Sequence, residues 1–261
     1  MADADLLQGA SPALPGDSLP VASTGENIDD VKVMSLVDHL SELRRRIAIS
    51  LLAVFIGSVA GFILAPRVLE VLKAPYGDNK LLLLAPGEGF FIYLKIALVT
   101  GVVLGMPVIL WQLWLFISPG LTRRERRLAR PWVPLALVFF VTGVTIAYLV
   151  LPYAVAFLGS FGQEGALQNA WTADGYFGFI AMMFLVFGLV MEYPIVLVLL
   201  SKVGIVTSSR LRSSRRIVII VIAVVAAVAT PGGDIISPFA LGVTMYLLYE
   251  LSILLVRAGG H

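Results

Sequence analysis

Residues 175–201 read Gly175-Tyr176-Phe177-Gly178-Phe179-Ile180-Ala181-Met182-Met183-Phe184-Leu185-Val186-Phe187-Gly188-Leu189-Val190-Met191-Glu192-Tyr193-Pro194-Ile195-Val196-Leu197-Val198-Leu199-Leu200-Ser201, an apolar run with one acid in it. About 20 helical residues cross the roughly 30 Å hydrocarbon core of a bilayer, so this run predicts a membrane span. A carboxylate at that depth costs roughly 2.5–3.5 kcal/mol on insertion scales, and such groups face protein or trapped water and mark function. Glu192 is either a buried acid, protonated or bonded to a hydroxyl or carbonyl of a neighbouring helix, or a polar point in a groove that admits water or a polar peptide.

The same pattern recurs along the chain. Of 261 residues, 59% are hydrophobic, against about 45–50% in soluble domains, and the mean hydropathy is +0.93. Six apolar spans are predicted, at about 47–72, 90–117, 131–159, 175–201, 214–230 and 235–257. The fold class is therefore an all-α polytopic membrane protein. The fifth span is short: Ile217 to Thr230 lie between Arg216 and Pro231, a helix of roughly 21 Å at 1.5 Å per residue. A span that short thins the bilayer, recruits flanking residues or packs against partners. Pro107, Pro134, Pro152 and Pro194 interrupt the spans, which predicts kinked helices whose freed carbonyls are satisfied by neighbours.

Lys and Arg set the orientation. One side carries Lys32, Arg44, Arg45 and Arg46, the group from Arg123 to Arg130, the group from Lys202 to Arg216, and Arg257. The opposite loops carry Arg67, Lys73 and Lys80 at the first turn-around, and the loops at 160–174 and 231–234 carry none. This bias predicts cytoplasmic termini. Lys95, near the outer end of span two, is expected to snorkel to the interface. Residues 1–30 hold prolines and acids but no apolar run, and are expected to form a disordered cytoplasmic tail rather than a secretory signal. Cysteine is absent and only His39 and His261 are present, so no metal site and no cofactor are expected.

The remaining acids have local explanations to weigh. Leu36, Leu40, Leu43 and Ile47 recur at helical spacing, which predicts an amphipathic interfacial helix entering span one. Glu42 lies off that stripe, where it pairs locally with Arg45 or Arg46 or receives a ligand. Thr122 and Glu125 fit a capping box; Glu125 is also a candidate anionic spot beside Glu42, among arginines. Asp234 follows Thr230-Pro231-Gly232-Gly233 and fits a cap for span six. Glu250 lies well inside span six, where a bond to a neighbouring helix is expected. No phosphate-binding glycine loop, HExxH or nucleophile elbow is present, which argues against an enzyme.

Together these residues resemble the TatC family, the receptor subunit of the twin-arginine protein translocase. The resemblance rests on Asp38-His39-Leu40-Ser41-Glu42-Leu43-Arg44, on Ala74-Pro75, on Pro107 to Leu121 with Glu125-Arg126-Arg127, on Phe187-Gly188 with Glu192-Tyr193-Pro194, and on Thr230-Pro231 with Asp234. It covers about residues 34–257, and the order of the motifs within six spans makes it specific.

The resemblance implies six helices in a cupped, concave transmembrane domain over 31–258, in the bacterial cytoplasmic membrane. It implies a non-enzymatic receptor and core of a translocase that exports folded proteins on the proton gradient. Glu42 and Glu125 match the acids that receive the twin-arginine pair of a signal peptide, with Arg44, Phe116 and Leu121 as neighbours. Glu192 matches the polar residue of the concave groove. Pro75 matches the outer cap, and Asp234 belongs to the outer turn beside the edge where single-span TatA- and TatB-type partners dock. Self-association in a larger complex is also implied. Ser237 is followed by Pro238 where the family often carries Ser-Gln, so a polar contact to those partners is expected to be replaced. The rival reading is a proton-coupled small-solute secondary transporter with Glu192 and Glu250 as its relay.

Overall fold

The computed structural model describes residues 36–77, 80–161, 170–202, 206–230 and 234–258. The tail 1–30 and the glycines of the 231–233 turn lie outside the described residues. The chain divides into residues 1–30 and 31–261, and only the second unit is treated below.

Among the described residues, that unit is helical: α1 (Leu36–Lys73), α2 (Glu88–Ile117), α3 (Arg123–Ala129), α4 (Trp132–Ser160), α5 (Ala173–Val190), α6 (Tyr193–Lys202), α7 (Ser208–Ser213), α8 (Arg215–Ala229) and α9 (Ile236–Ala258). Short 3-10 turns follow α1 and α2, at Ala74–Tyr76 and Ser118–Gly120. Five helical stretches are long and apolar enough to cross a membrane: Val37–Tyr76, Glu88–Gly120, Glu125–Ser160, Ala173–Ser201 and Ile236–Arg257. Helix α8, of 15 residues, coincides with the short fifth span expected from sequence and is not among these five.

Two departures from the expected spans have local causes. The predicted interfacial helix and span one form a single helix, α1, of 38 residues, because nothing between Leu36 and Ile47 breaks it. Span four is interrupted: α5 ends at Val190 and α6 starts at Tyr193. Pro194 has no N–H to give the preceding turn, and the Glu192 amide tightens onto the Leu189 carbonyl at 3.1 Å while the Glu192 carbonyl accepts from Ile195 at 3.1 Å. By contrast, Pro107 and Pro152 lie inside unbroken helices.

The first two helices pack backbone to backbone. Gly57 and Gly61 on α1 face Gly101 and Ala97 on α2; a Cβ on Gly57 would lie 2.6 Å from the Gly101 carbonyl oxygen, and one on Gly61 would lie 2.6 Å from that of Ala97. Gly105 meets α1 at Val54. Both helices therefore carry a Gly-x-x-x-Gly face, the spacing that lets transmembrane helices approach closely where lipid offers no hydrophobic drive for association. Gly143 and Gly188 play the same part between α4 and α5, against Phe187 and Phe140.

The main core gathers Ile96, Leu151, Ile180, Met183, Phe187 and Leu241 from α2, α4, α5 and α9. A smaller one, Met106, Leu110, Ala136, Phe140 and Ile195, joins α2, α4 and α6. Large apolar side chains on α1 and α8, such as Leu51, Phe55, Ile63, Ile220 and Val228, stay exposed, as lipid-facing residues do. Gly57→Ala is expected to destabilise the purified protein by roughly 1–3 kcal/mol through overpacking. Gly89→Ala, where no atom lies within 4 Å of the new Cβ, is expected to leave it unchanged. Thermal unfolding in detergent followed by monodispersity checks this.

Candidate functional site

The start of α1 lies against the end of α2. His39 stacks on Phe116 with ring centroids 4.5 Å apart and planes 19° from parallel. One turn further, the Arg46 guanidinium donates to Glu42 Oε1 at 3.0 Å and to Gln112 Oε1 on α2 at 3.1 Å. The expected local pair of Glu42 is thus real, but it is not a solvated one. Both side chains are mostly buried (17% exposed for Glu42, 19% for Arg46), and Gln112 is 8% exposed. Glu42 Oε2 and Arg46 Nε are buried without a hydrogen-bond partner. A half-satisfied pair of this kind is energetically exposed to any group able to complete it. Arg44 points to solvent.

The turn between α2 and α4 carries the second acid. Glu125 closes the capping box of α3: its Oε2 accepts from the Thr122 amide at 2.9 Å, and its own amide donates to Thr122 Oγ1 at 3.3 Å. Arg126 clamps the end of α2 by donating twice to the Ser118 carbonyl, at 3.1 and 2.7 Å. Leu121 is buried against Trp114 and Ala129. Glu42 and Phe116 are therefore joined through the α1–α2 contact, while Leu121 and Glu125 occupy the turn that continues from Phe116.

Glu192 sits at the α5–α6 break. Its neighbour Met191 packs on Gly143, and Ile195 packs with Leu110 and Phe140. Glu192 Oε1 is buried with no hydrogen-bond partner among the described residues. Glu250 does have a partner: the Arg215 guanidinium donates to it at 2.7 Å from the first residue of α8, and Tyr246 adds a bond at 3.3 Å. The first residue of α8 thus reaches Glu250 inside α9 and supplies the expected bond from a neighbouring helix.

At the other end, Pro75 belongs to the turn after α1, next to Tyr76, which packs on Trp171 and Tyr176 with centroids 5.1 and 5.4 Å away. Tyr176 donates to the Leu72 carbonyl at 2.8 Å and so closes α1. Asp234 lies elsewhere. It caps α9 by accepting from the Ser237 amide at 2.6 Å, is 4% exposed, and lines an apolar groove of about 620 Å³ with Ile222, Pro238, Phe239 and Tyr246 between α8 and α9. Among the described residues its Oδ1 has no partner.

Several polar residues at this end drew no role from sequence reasoning. Glu88 accepts from the amides of Leu84 (2.6 Å), Ala85 (3.1 Å) and Asp174 (3.2 Å). Lys95 pairs with Asp174 at 2.6 Å. Leu82 exchanges backbone bonds with Trp171 and Ala173. These contacts tie the loop before α2 to the start of α5. Their only sequence signal is Glu88 in the first turn of a helix.

The chain matches the family model described as "TatC: Sec-independent protein translocase protein (TatC)" over residues 38–243. The chain belongs to the TatC family. It is 40% identical to the Sec-independent protein translocase protein TatC of Frankia casuarinae, over 94% of this chain and 72% of that one. With the protein of the same name from Synechocystis sp. it shares 41% identity, over 89% and 91%. A crystal structure of "Twin Arginine Translocase Receptor- TatC in DDM" superposes with a TM-score of 0.74 at 37% identity, over 84% of this chain and 99% of that one. The chain is thus a multi-pass membrane protein of a protein-translocase family, as its hydropathy and motifs imply.

Replacing Glu88 by Ala is expected to release the loop it holds. Amide exchange at Leu84, Ala85 and Asp174 should accelerate, while amides of the α1–α2 contact keep their protection; hydrogen-exchange mass spectrometry reads both.

Proposed function

We propose that this chain is the receptor and core subunit of a twin-arginine translocase, with Glu42 and Glu125 receiving the two arginines of a signal peptide. The observation that carries this reading is the state of Glu42. It is a mostly buried carboxylate already engaged with a guanidinium through one oxygen, while the other has no partner. A carboxylate with both oxygens available takes a guanidinium in a bidentate, charge-assisted fork; Glu42 offers one oxygen at once and the second when Arg46 gives way, and the compact ammonium of lysine does not reproduce that geometry. Glu125, next to buried Leu121, offers a second acid on the same stretch of surface that Phe116 begins. The solved relative is itself described as a twin-arginine translocase receptor.

In this reading both termini face the cytoplasm, and the peptide's apolar segment moves along the fold toward Glu192, whose free carboxyl oxygen supplies a polar end point. The groove between α8 and α9, with Asp234 at its rim, seats a single-span helix of the TatA or TatB type. Transport of folded cargo follows from assembly of those partners and draws on the proton gradient, with no catalytic step by this chain. A solute-transport relay through Glu192 and Glu250 is less well supported, because Arg215 already holds Glu250.

Glu42→Gln and Glu125→Gln are each expected to weaken binding of a fluorescent twin-arginine peptide by on the order of 10–100-fold, the worth of one charge-assisted bond. A twin-lysine peptide should bind poorly to the unaltered chain. Thr122→Ala, which removes the cap but keeps the carboxylate, should cost about 1 kcal/mol of stability and leave peptide binding near normal. Equal binding of both peptides, unchanged in the Gln variants, would overturn the assignment.

Glu192→Ala is expected to spare that surface binding and to impair transport of folded cargo in proteoliposomes or cells. Unaltered transport would make Glu192 a packing residue.

A further inference from the structure

Between α2 and the start of α4 lies a second apolar groove, of about 530 Å³, floored by Leu110 and walled by Pro107, Trp111, Val133 and Leu137. Volumes of roughly 300–1,000 Å³ are those of ligand sites. Two prolines, Pro131 and Pro134, open the first turn of α4 beside it. Arg127 and Arg130 form its rim. Of the basic residues on α3, Arg126 is committed to the Ser118 carbonyl. Arg127 and Arg130 are exposed, and neither meets a carboxylate within ion-pair distance among the described residues. The nearby acid, Glu125, is turned back onto the Thr122 amide.

An apolar slot with two guanidiniums at its mouth, on the arginine-rich end of a membrane protein, has the two-part chemistry of a phospholipid. We propose that this groove binds an anionic glycerophospholipid of the adjoining leaflet, with an acyl chain along Leu110 and Leu137 and the phosphate between Arg127 and Arg130. Basic pockets between transmembrane helices on the cytoplasmic side take such headgroups, and guanidinium matches phosphate in a planar fork. A cationic peptide is disfavoured at the same mouth by like charge. The exposed Trp111 ring is of the type that settles at the membrane interface. This site stands independently of the peptide reading, because none of its lining residues serves there.

The test uses the full chain in detergent, with phosphatidylglycerol or phosphatidylcholine of matched acyl chains added and retention read by native mass spectrometry. A basic residue near an anionic lipid surface is worth roughly a fivefold gain in affinity. Phosphatidylglycerol should therefore be retained over phosphatidylcholine, and the double variant Arg127→Gln/Arg130→Gln should lose on the order of 30-fold of its phosphatidylglycerol affinity. Arg212→Gln/Arg216→Gln, which removes equal charge elsewhere at the same end, should keep the preference. Leu137→Trp, filling the slot, should reduce retention of both lipids while the protein stays monodisperse. An unchanged preference in Arg127→Gln/Arg130→Gln, or equal loss in the two double variants, would overturn the site. Displacement of the lipid by an apolar peptide lacking arginines, one for one, would assign the groove to peptide instead.

Discussion

The backbones of α1 and α2 touch along two glycine faces, and that contact sets the register on which the arginine-rich end depends. With Gly57 on Gly101 and Gly61 on Ala97, the start of α1 is carried alongside the last turns of α2. His39 then meets Phe116, and Arg46 reaches both Glu42 and Gln112. A slip of one helix past the other would part Arg46 from Gln112 and uncover the Glu42–Arg46 pair, leaving it in the regime where exposed pairs contribute a few tenths of a kcal/mol. In lipid no hydrophobic drive restores such a register, so it is held by close packing of small residues.

Polar groups at the two ends divide the work differently. At the end that carries Pro75, the polar contacts around the start of α2 and α5 are directed at backbone or at a neighbouring charge: Glu88 on three amides, Tyr176 on the end of α1, Lys95 on Asp174; Asp234 Oδ1, on the turn before α9, departs from that pattern. At the arginine-rich end, several groups are left with capacity to spare, among them Glu42 Oε2, Arg127 and Arg130. Buried polar groups that are fully bonded stiffen a fold, whereas partly bonded ones are where ligands act.

Hydropathy made five spanning helices legible, because a helix in lipid has to bury all of its backbone bonds and to match a fixed thickness, although α1 begins well before the expected start of span one. The Thr122–Glu125 capping box and the Asp234 cap were equally legible, since capping is local chemistry. The glycine spacings at 57/61 and 101/105 stand in the sequence, yet which faces meet is a tertiary fact. Gln112 looks like an ordinary polar interruption of span two until α1 is laid against it. The break at Glu192 needed Pro194 and a tightened turn together, and proline alone did not announce it, since Pro107 and Pro152 sit in continuous helices. The bond of Glu250 to a neighbouring helix was expected, but its donor, Arg215, was not, because the reach of Arg215 depends on where α8 begins. How Glu42 and Glu125 act on a ligand is legible from family resemblance, not from spacing, which reads equally well as a salt bridge and a cap.

The Arg46–Glu42 contact also has a kinetic side. The Glu42 carboxylate has already lost most of its water and already faces a guanidinium supplied by its own chain. A second guanidinium reaching it enters an exchange of like for like, with Gln112 ready to keep hold of Arg46. Such an exchange changes little in net charge or hydration. It therefore runs in both directions with a small driving force, so a visitor at Glu42 is held only as firmly as the rest of its sequence allows and leaves when those other contacts are taken away.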